Sequence, residues 1–103
     1  MDTYEVKIDI DAFLDIQEAA DWYNYKVEKL GDRFKRKVKL QINGLKNNPE
    51  TYRIRYNNVR CVLIKKFPFL IHFKIDKKNR IVEVIAVIHT SRNPKIWEQK
   101  IDE

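Results

Sequence analysis

Glycine is nearly missing from this chain of 103 residues, occurring only as Gly31 and Gly44, beside three prolines, one cysteine and two histidines. Each shortage excludes something. Two isolated glycines cannot form a glycine-rich loop that cradles a phosphate. Two histidines and one cysteine, none closely spaced, do not assemble a zinc site, so the chain is read as needing no metal and no cofactor. Cys61 alone cannot close an internal disulfide, which points to a buried thiol and a reducing compartment, the cytoplasm. No apolar run spans a bilayer and no basic-then-apolar leader follows Met1, so a soluble, unprocessed chain without a membrane partner is expected. No catalytic triad or carboxylate pair stands out.

Positive charge, by contrast, is abundant and unevenly placed. Residues 1–30 hold three lysines and eight acids, a net of −5, whereas residues 31–103 hold eighteen lysines or arginines and seven acids, a net of +11. Such a field draws nucleic acid, ribosomes or acidic protein alike. Most individual cations nevertheless do no more than keep a small domain soluble.

The richest apolar stretch is Arg60 to His89. Three segments rich in β-branched and aromatic residues, Cys61–Phe67, Phe69–Ile75 and Ile81–Ile88, read as strands. Pro68 separates the first two, and the short polar link Asp76–Arg80 permits a hairpin but no parallel crossover, so the sheet is predicted to be antiparallel. Phe69, Ile71, Phe73 and Ile75 share the face to be covered by helices, with Phe67 and Phe69 buried against the first of them. Leu70, His72, Lys74 and Asp76 share the other. In the third strand Ile81, Ile85 and Val87 alternate with Val82, Val84, Ala86 and Ile88, the apolar-on-both-faces pattern of a central strand.

Upstream, Tyr4, Val6 and Ile8 alternate with polar residues, which predicts an N-terminal strand in the same sheet. Asp9 is placed to cap a helix whose stripe is Phe13, Ile16, Ala20, Tyr23, Val27 and Leu30, with Gly31 just past its end. Asp32 caps a second helix with Phe34, Val38, Ile42 and Leu45 on its apolar stripe, and the two helices form an antiparallel hairpin. Asn47-Asn48-Pro49 ends it. Thr51 to Val59 reads as polar, basic and aromatic, with Tyr52, Arg53, Arg55 and Tyr56 and a turn favoured at Asn57-Asn58. After the sheet come a loop at Thr90–Pro94 and a short helical turn at Lys95–Ile101 with Trp97 pointing inward. The predicted fold is therefore α+β, one domain over residues 1–103: N-terminal strand, helical hairpin, three-stranded antiparallel run in one sheet, and a C-terminal helical turn.

Chemistry, if there is any, falls to Arg60, Lys65, Lys66, His89 and Arg92. Cations with a neutral base suit phosphodiester cleavage in RNA, where the base takes the 2′-hydroxyl proton and the cations stabilise the transition state. For His72 and Lys74 a purely structural role is the reading. Trp22, Tyr23 and Tyr25 have the helical spacing of core and partner-contact residues rather than of base-stacking ones.

Taken in order, Ala20-Asp21-Trp22-Tyr23, Leu30-Gly31-Asp32-Arg33-Phe34, Leu45-Lys46-Asn47-Asn48-Pro49, Val59-Arg60, Phe67-Pro68-Phe69, Ala86-Val87-Ile88-His89, Arg92-Asn93-Pro94 and Trp97 resemble the RelE/ParE superfamily of type II toxins, most of all its ParE-like, plasmid-stabilisation branch. The resemblance implies a growth-inhibiting toxin and a cognate antitoxin that wraps an extended segment around it. It implies one of two targets, DNA gyrase for ParE-like members or ribosome-bound messenger RNA for RelE-like ones. A non-toxic binding module of the same fold is the third possibility. Where the nuclease branch carries paired lysines and an arginine, alignment on Phe69 places Cys61, Leu63 and Leu70, all apolar, which favours gyrase. Arg60, Lys65 and Arg92 are then the candidate target contacts, and His89 with Arg92 the catalytic candidates for a ribonuclease.

Overall fold

The computed structural model describes residues 3–92. In chain order its elements are β1 (Glu5–Ile8), α1 (Ile10–Lys26), α2 (Leu30–Gly44), a 3-10 turn (Pro49–Thr51), β2 (Ile54–Tyr56), β3 (Val59–Leu63), β4 (Phe69–Asp76) and β5 (Ile81–His89). The strands form one sheet in the order β1-β5-β4-β3-β2. The α+β architecture with its helical hairpin is as expected. The predicted helical turn at Lys95–Ile101, with Trp97, lies outside the described residues.

Two features of the sheet differ from expectation. First, it is mixed: β1 runs parallel to β5, with Val6 opposite Val82 and Ile8 opposite Val84. Only β2 through β5 are antiparallel. Second, the polar and aromatic stretch Thr51 to Val59, assigned no strand from sequence, supplies a fifth, β2, which pairs with β3 through a two-residue turn at Asn57-Asn58. Both asparagines take the left-handed conformation (φ 40° and 64°), the backbone that a tight hairpin requires and that Asn tolerates. With three residues and little burial, β2 leaves no period-two signal. β3 also starts earlier and stops sooner than predicted. The chain turns at Ile64–Phe67, where the Phe67 amide donates to the Ile64 carbonyl (3.2 Å).

The hairpin turns differently too. α1 ends at Lys26, Val27 is extended, and Lys29 takes the left-handed position (φ 66°) expected of glycine. Gly31 instead lies in the first turn of α2, where an added Cβ would stand 2.0 Å from the Ala20 carbonyl oxygen. Its amide donates to Asn24 Oδ1 (2.7 Å). Glycine is needed there for close approach of two helices, not for helix termination. Asp32 accordingly sits inside the helix, and the capping position belongs to Lys29. Asp9 does hold the N-cap position of α1 but makes no side-chain capping bond.

The core lies between the helices and one sheet face: Phe34, Val38 and Ile42 of α2, with Leu45 just past its end, pack with Val62, Ile64, Ile71, Phe73, Val82, Val84 and Val87. α1 contributes small residues, Ala12, Ala19 and Ala20, whereas Phe13 and Val27, predicted inward, are 55% and 56% exposed. Tyr23, Phe34, Phe67 and Phe69 form an aromatic cluster with ring centroids 5.1–6.1 Å apart, although Phe67 and Phe69 are only half-buried. In β5 a bulge sets His72 opposite Ala86 and Phe73 opposite Val84, leaving Ile85 as the extra residue. That extra residue reverses the alternation. Val82, Val84 and Val87 thus share the helix side, and Ala86 and Ile88 the other.

Candidate functional site

The end of β5 and the flank of α1 enclose the first candidate site. β1 pairs with β5 only from Ile81 to Val84, and its last contribution is the Asp9 amide donating to the Val84 carbonyl (2.9 Å). Beyond it, among the described residues, no strand pairs with this edge of β5; the Val87 amide instead donates to the Asp15 carboxylate of α1 (3.0 Å). A groove of about 500 Å³ opens alongside, walled by Ala19, Trp22 and Tyr23 of α1, Pro68 and Phe69, and Val87 and Ile88. Asp15 and Glu18 line it with negative charge, His89 and Arg92 with nitrogen donors. Trp22 is 56% exposed.

His89 and Arg92 are therefore neighbours of one groove, as a joint site requires. The imidazole is not poised as a base, however. Its Nδ1 accepts from the Ser91 amide (3.0 Å) and lies 2.8 Å from the Ser91 hydroxyl, which leaves the proton of the neutral ring on Nε2. The ring packs edge-on against Phe69 (5.1 Å).

Arg60 and Lys65 lie elsewhere. The Arg60 guanidinium donates through Nη1 to the carbonyls of Glu50 (3.0 Å) and Tyr52 (2.6 Å), tying β3 to the 3-10 turn. Around that turn the Tyr4 hydroxyl donates to Glu50 Oε1 (2.6 Å), Lys77 Nζ stands 3.8 Å from Glu50, and Arg80 stacks over the Tyr4 ring at 4.2 Å. The Tyr4 hydroxyl, helped by Lys77 and Arg60, holds the Glu50 carboxyl below its ordinary range. Lys65 occupies the turn after β3, where its amide donates to Gln41 Oε1 (2.6 Å). The three cations proposed as target contacts thus sit at three separate places.

The open sheet face carries the apolar residues singled out by the alignment on Phe69. Cys61 lies opposite His72 and Leu63 opposite Leu70. His72, read as a structural residue, is fully buried, with the Tyr56 hydroxyl 2.8 Å and the Cys61 sulfur 3.4 Å from its Nδ1. Burial pushes the Cys61 thiol up to about 11, against a weak opposing pull from Arg55. It stays a protonated, inert thiol at neutral pH. Further along, Glu83 stands opposite Lys7 and Lys74. Its carboxyl is raised, chiefly by its hydrogen bond with Asp9. Sequence reasoning missed the groove itself, with Asp15 and Glu18, because nothing local reveals that α1 crosses the end of β5.

A sequence profile described as the ParE toxin of the type II toxin–antitoxin system, parDE, matches residues 6–94. Among solved structures, the chromosomal ParDE toxin–antitoxin system of P. aeruginosa superposes with a TM-score of 0.77 at 13% identity, over 88% of this chain and 100% of that one. The E. coli RelBE toxin–antitoxin complex gives a TM-score of 0.65 at 16% identity, over 86% and 99% of the two chains. Isolated E. coli RelE gives 0.63 at 15% identity, over 96% of each. No curated protein matches the sequence. At such identities the structural likenesses establish the fold.

Proposed function

Because the chain belongs to the ParE toxin family of type II toxin–antitoxin systems, we propose that it inhibits growth by acting on DNA gyrase rather than by cutting messenger RNA, and that it serves plasmid stabilisation. The observation that carries this choice is the apolar open face. Cys61 and Leu63 lie side by side with His72 and Leu70 across β3 and β4, so the three positions that the nuclease branch fills with cations offer a phosphate no positive charge. Loss of such groups costs orders of magnitude in rate. His89, with Nδ1 already engaged, makes a poor general base, and Arg60 is committed to two backbone carbonyls. Arg92 and Lys65 are the remaining target-contact candidates.

The proposed partner is a cognate antitoxin in the same cytoplasm. Support comes from the edge of β5 beside the groove, which no strand among the described residues pairs: an extended segment can add main-chain hydrogen bonds there while an apolar side chain fills the space beside Trp22. Antitoxin complexes stand among the similar solved structures.

Inducing the protein without its antitoxin, then mapping transcript ends and plasmid topology in the same cells, tests the proposal. Altered supercoiling with intact messages is expected. Codon-phased cuts in translated messages overturn it and return His89 and Arg92 to catalytic roles. Normal growth with neither effect makes the chain a non-toxic binding module.

A further inference from the structure

The helical hairpin is acidic along α1 and basic along α2. α2 reads RFKRKVK from Arg33 to Lys39, five cations in seven residues without an acid. Phe34 and Val38 are the members of that run that face the core. Arg33, Lys35, Arg36 and Lys39 are exposed, as are Lys65 and Lys66 in the turn after β3. Gln41 fixes that turn against α2. Its amide nitrogen donates to the Leu63 carbonyl (2.7 Å), and its oxygen accepts from the Lys65 amide (2.6 Å). Two cationic segments from different parts of the chain are thereby held together in one register.

What distinguishes this surface is its density of positive charge, five cations in seven residues of α2 beside Lys65 and Lys66; two further observations describe its cations. The ion pair found among the described residues joins Lys77 to Glu50, and none of these cations takes part in one; Lys35 reaches only the neutral Gln17 (3.2 Å). In addition, Lys66 adopts a left-handed backbone (φ 72°), a position that glycine or asparagine fills at lower cost. A lysine kept there projects charge at the expense of backbone strain.

We propose that α2 and the Ile64–Phe67 turn form a docking surface for duplex DNA, contacted through its phosphates. The chemistry favours this occupant over others. The solvent side of α2 carries no aromatic on which single-stranded bases stack, because its one aromatic, Phe34, is fully buried. Leu40 is the single large apolar residue exposed on α2, too little for the apolar centre of a protein interface. A set of cationic donors reads the closely spaced charge of a duplex without reading its sequence. The surface is distinct from the groove at Trp22 and Arg92, and the inference holds whichever target the toxin has.

Fluorescence anisotropy of the full-length protein with a labelled random-sequence DNA duplex, at 50 to 200 mM salt, tests the proposal. With about five phosphates contacted, the logarithm of the binding constant falls with the logarithm of salt with a slope of about −4.5, and the pair Arg33→Gln with Arg36→Gln flattens it by about 2. Binding weakens at least about tenfold in that variant. Lys66→Asn also weakens it while the denaturation midpoint stays level or rises, which separates lost charge from lost folding. The control pair Lys77→Gln with Lys78→Gln binds as the parent does. Equal loss in the control, a slope shallower than about −2, equal affinity for single-stranded DNA or duplex RNA, or displacement by polyglutamate at matched charge would each overturn it.

Discussion

The two faces of the sheet are built by different means. The helix-covered face is held by interlocking apolar side chains: Phe34, Ile64, Ile71, Phe73, Val82 and Val84 have no measurable exposure. The other face has a small apolar nucleus, Ala86 and Ile88 with Tyr56, Leu70 and Ile85 around it, and relies on a polar cluster of His72, Tyr56 and Cys61. Packing supplies most of the stability and tolerates little change in shape. The open face contributes less, and it carries Cys61, Leu63 and Leu70, the apolar residues on which the proposed choice of target rests. The faces thus divide close packing from polar bonding.

Substitutions that probe this division should rank accordingly. Phe34→Ala or Phe73→Ala empties a fully buried site and should cost about 3–5 kcal/mol in denaturant titration; a loss under about 1 kcal/mol would mean that the helix side is not the main core. Phe69→Ala, at a half-buried ring, should cost roughly half as much. Gly31→Ala forces a methyl group against the Ala20 carbonyl oxygen, and the helices must separate, at about 3 kcal/mol. Thermal melts check it, and an unperturbed variant would show that the hairpin is looser than its geometry.

On the open face, Tyr56→Phe removes one hydrogen bond from His72 and should cost about 1 kcal/mol, read from the urea midpoint. A cost as large as that of Phe73→Ala would erase the contrast between the faces. A last effect on this face is alkaline. In the folded chain the Cys61 thiol is raised to about 11 from the ordinary 9.0. The unfolded thiol ionises first, so this contribution is complete below about pH 9 and is lost as pH rises through 11. Comparing denaturation midpoints at pH 8 and 10.5 should show a drop that Cys61→Ala lacks; an equal drop in both would assign it to other groups.

Much of this was legible in the chain. Phe34, Val38, Ile42 and Leu45 fall on the α2 stripe as their spacing requires, and Ile71 and Phe73 face the helices because alternate residues of a strand share a side. α1 misled in part, since its buried surface is made of alanines. Burial there follows from how closely the helix lies on its neighbours, and hydrophobicity ranking by itself points to Phe13. The site was less legible than the fold. His89 and Arg92 are three residues apart and share a groove, but their relation to Asp15 and Trp22 depends on α1 lying across the end of β5. Arg60 reads as a surface cation until the 3-10 turn places two carbonyls beside it.

Period, turn chemistry and charge are local quantities, and with them the sequence by itself determined the helices, the principal strands, the apolar residues at Cys61, Leu63 and Leu70 and the uneven charge. Tertiary structure decided what depends on residues distant in the chain. The parallel pairing of β1 with β5, the bulge that turns Val87 toward the helices, Gly31 as a contact residue and the burial of His72 are of this kind. Each is fixed by the free energy of excluding water and filling space across elements, a quantity that no window of neighbouring residues contains.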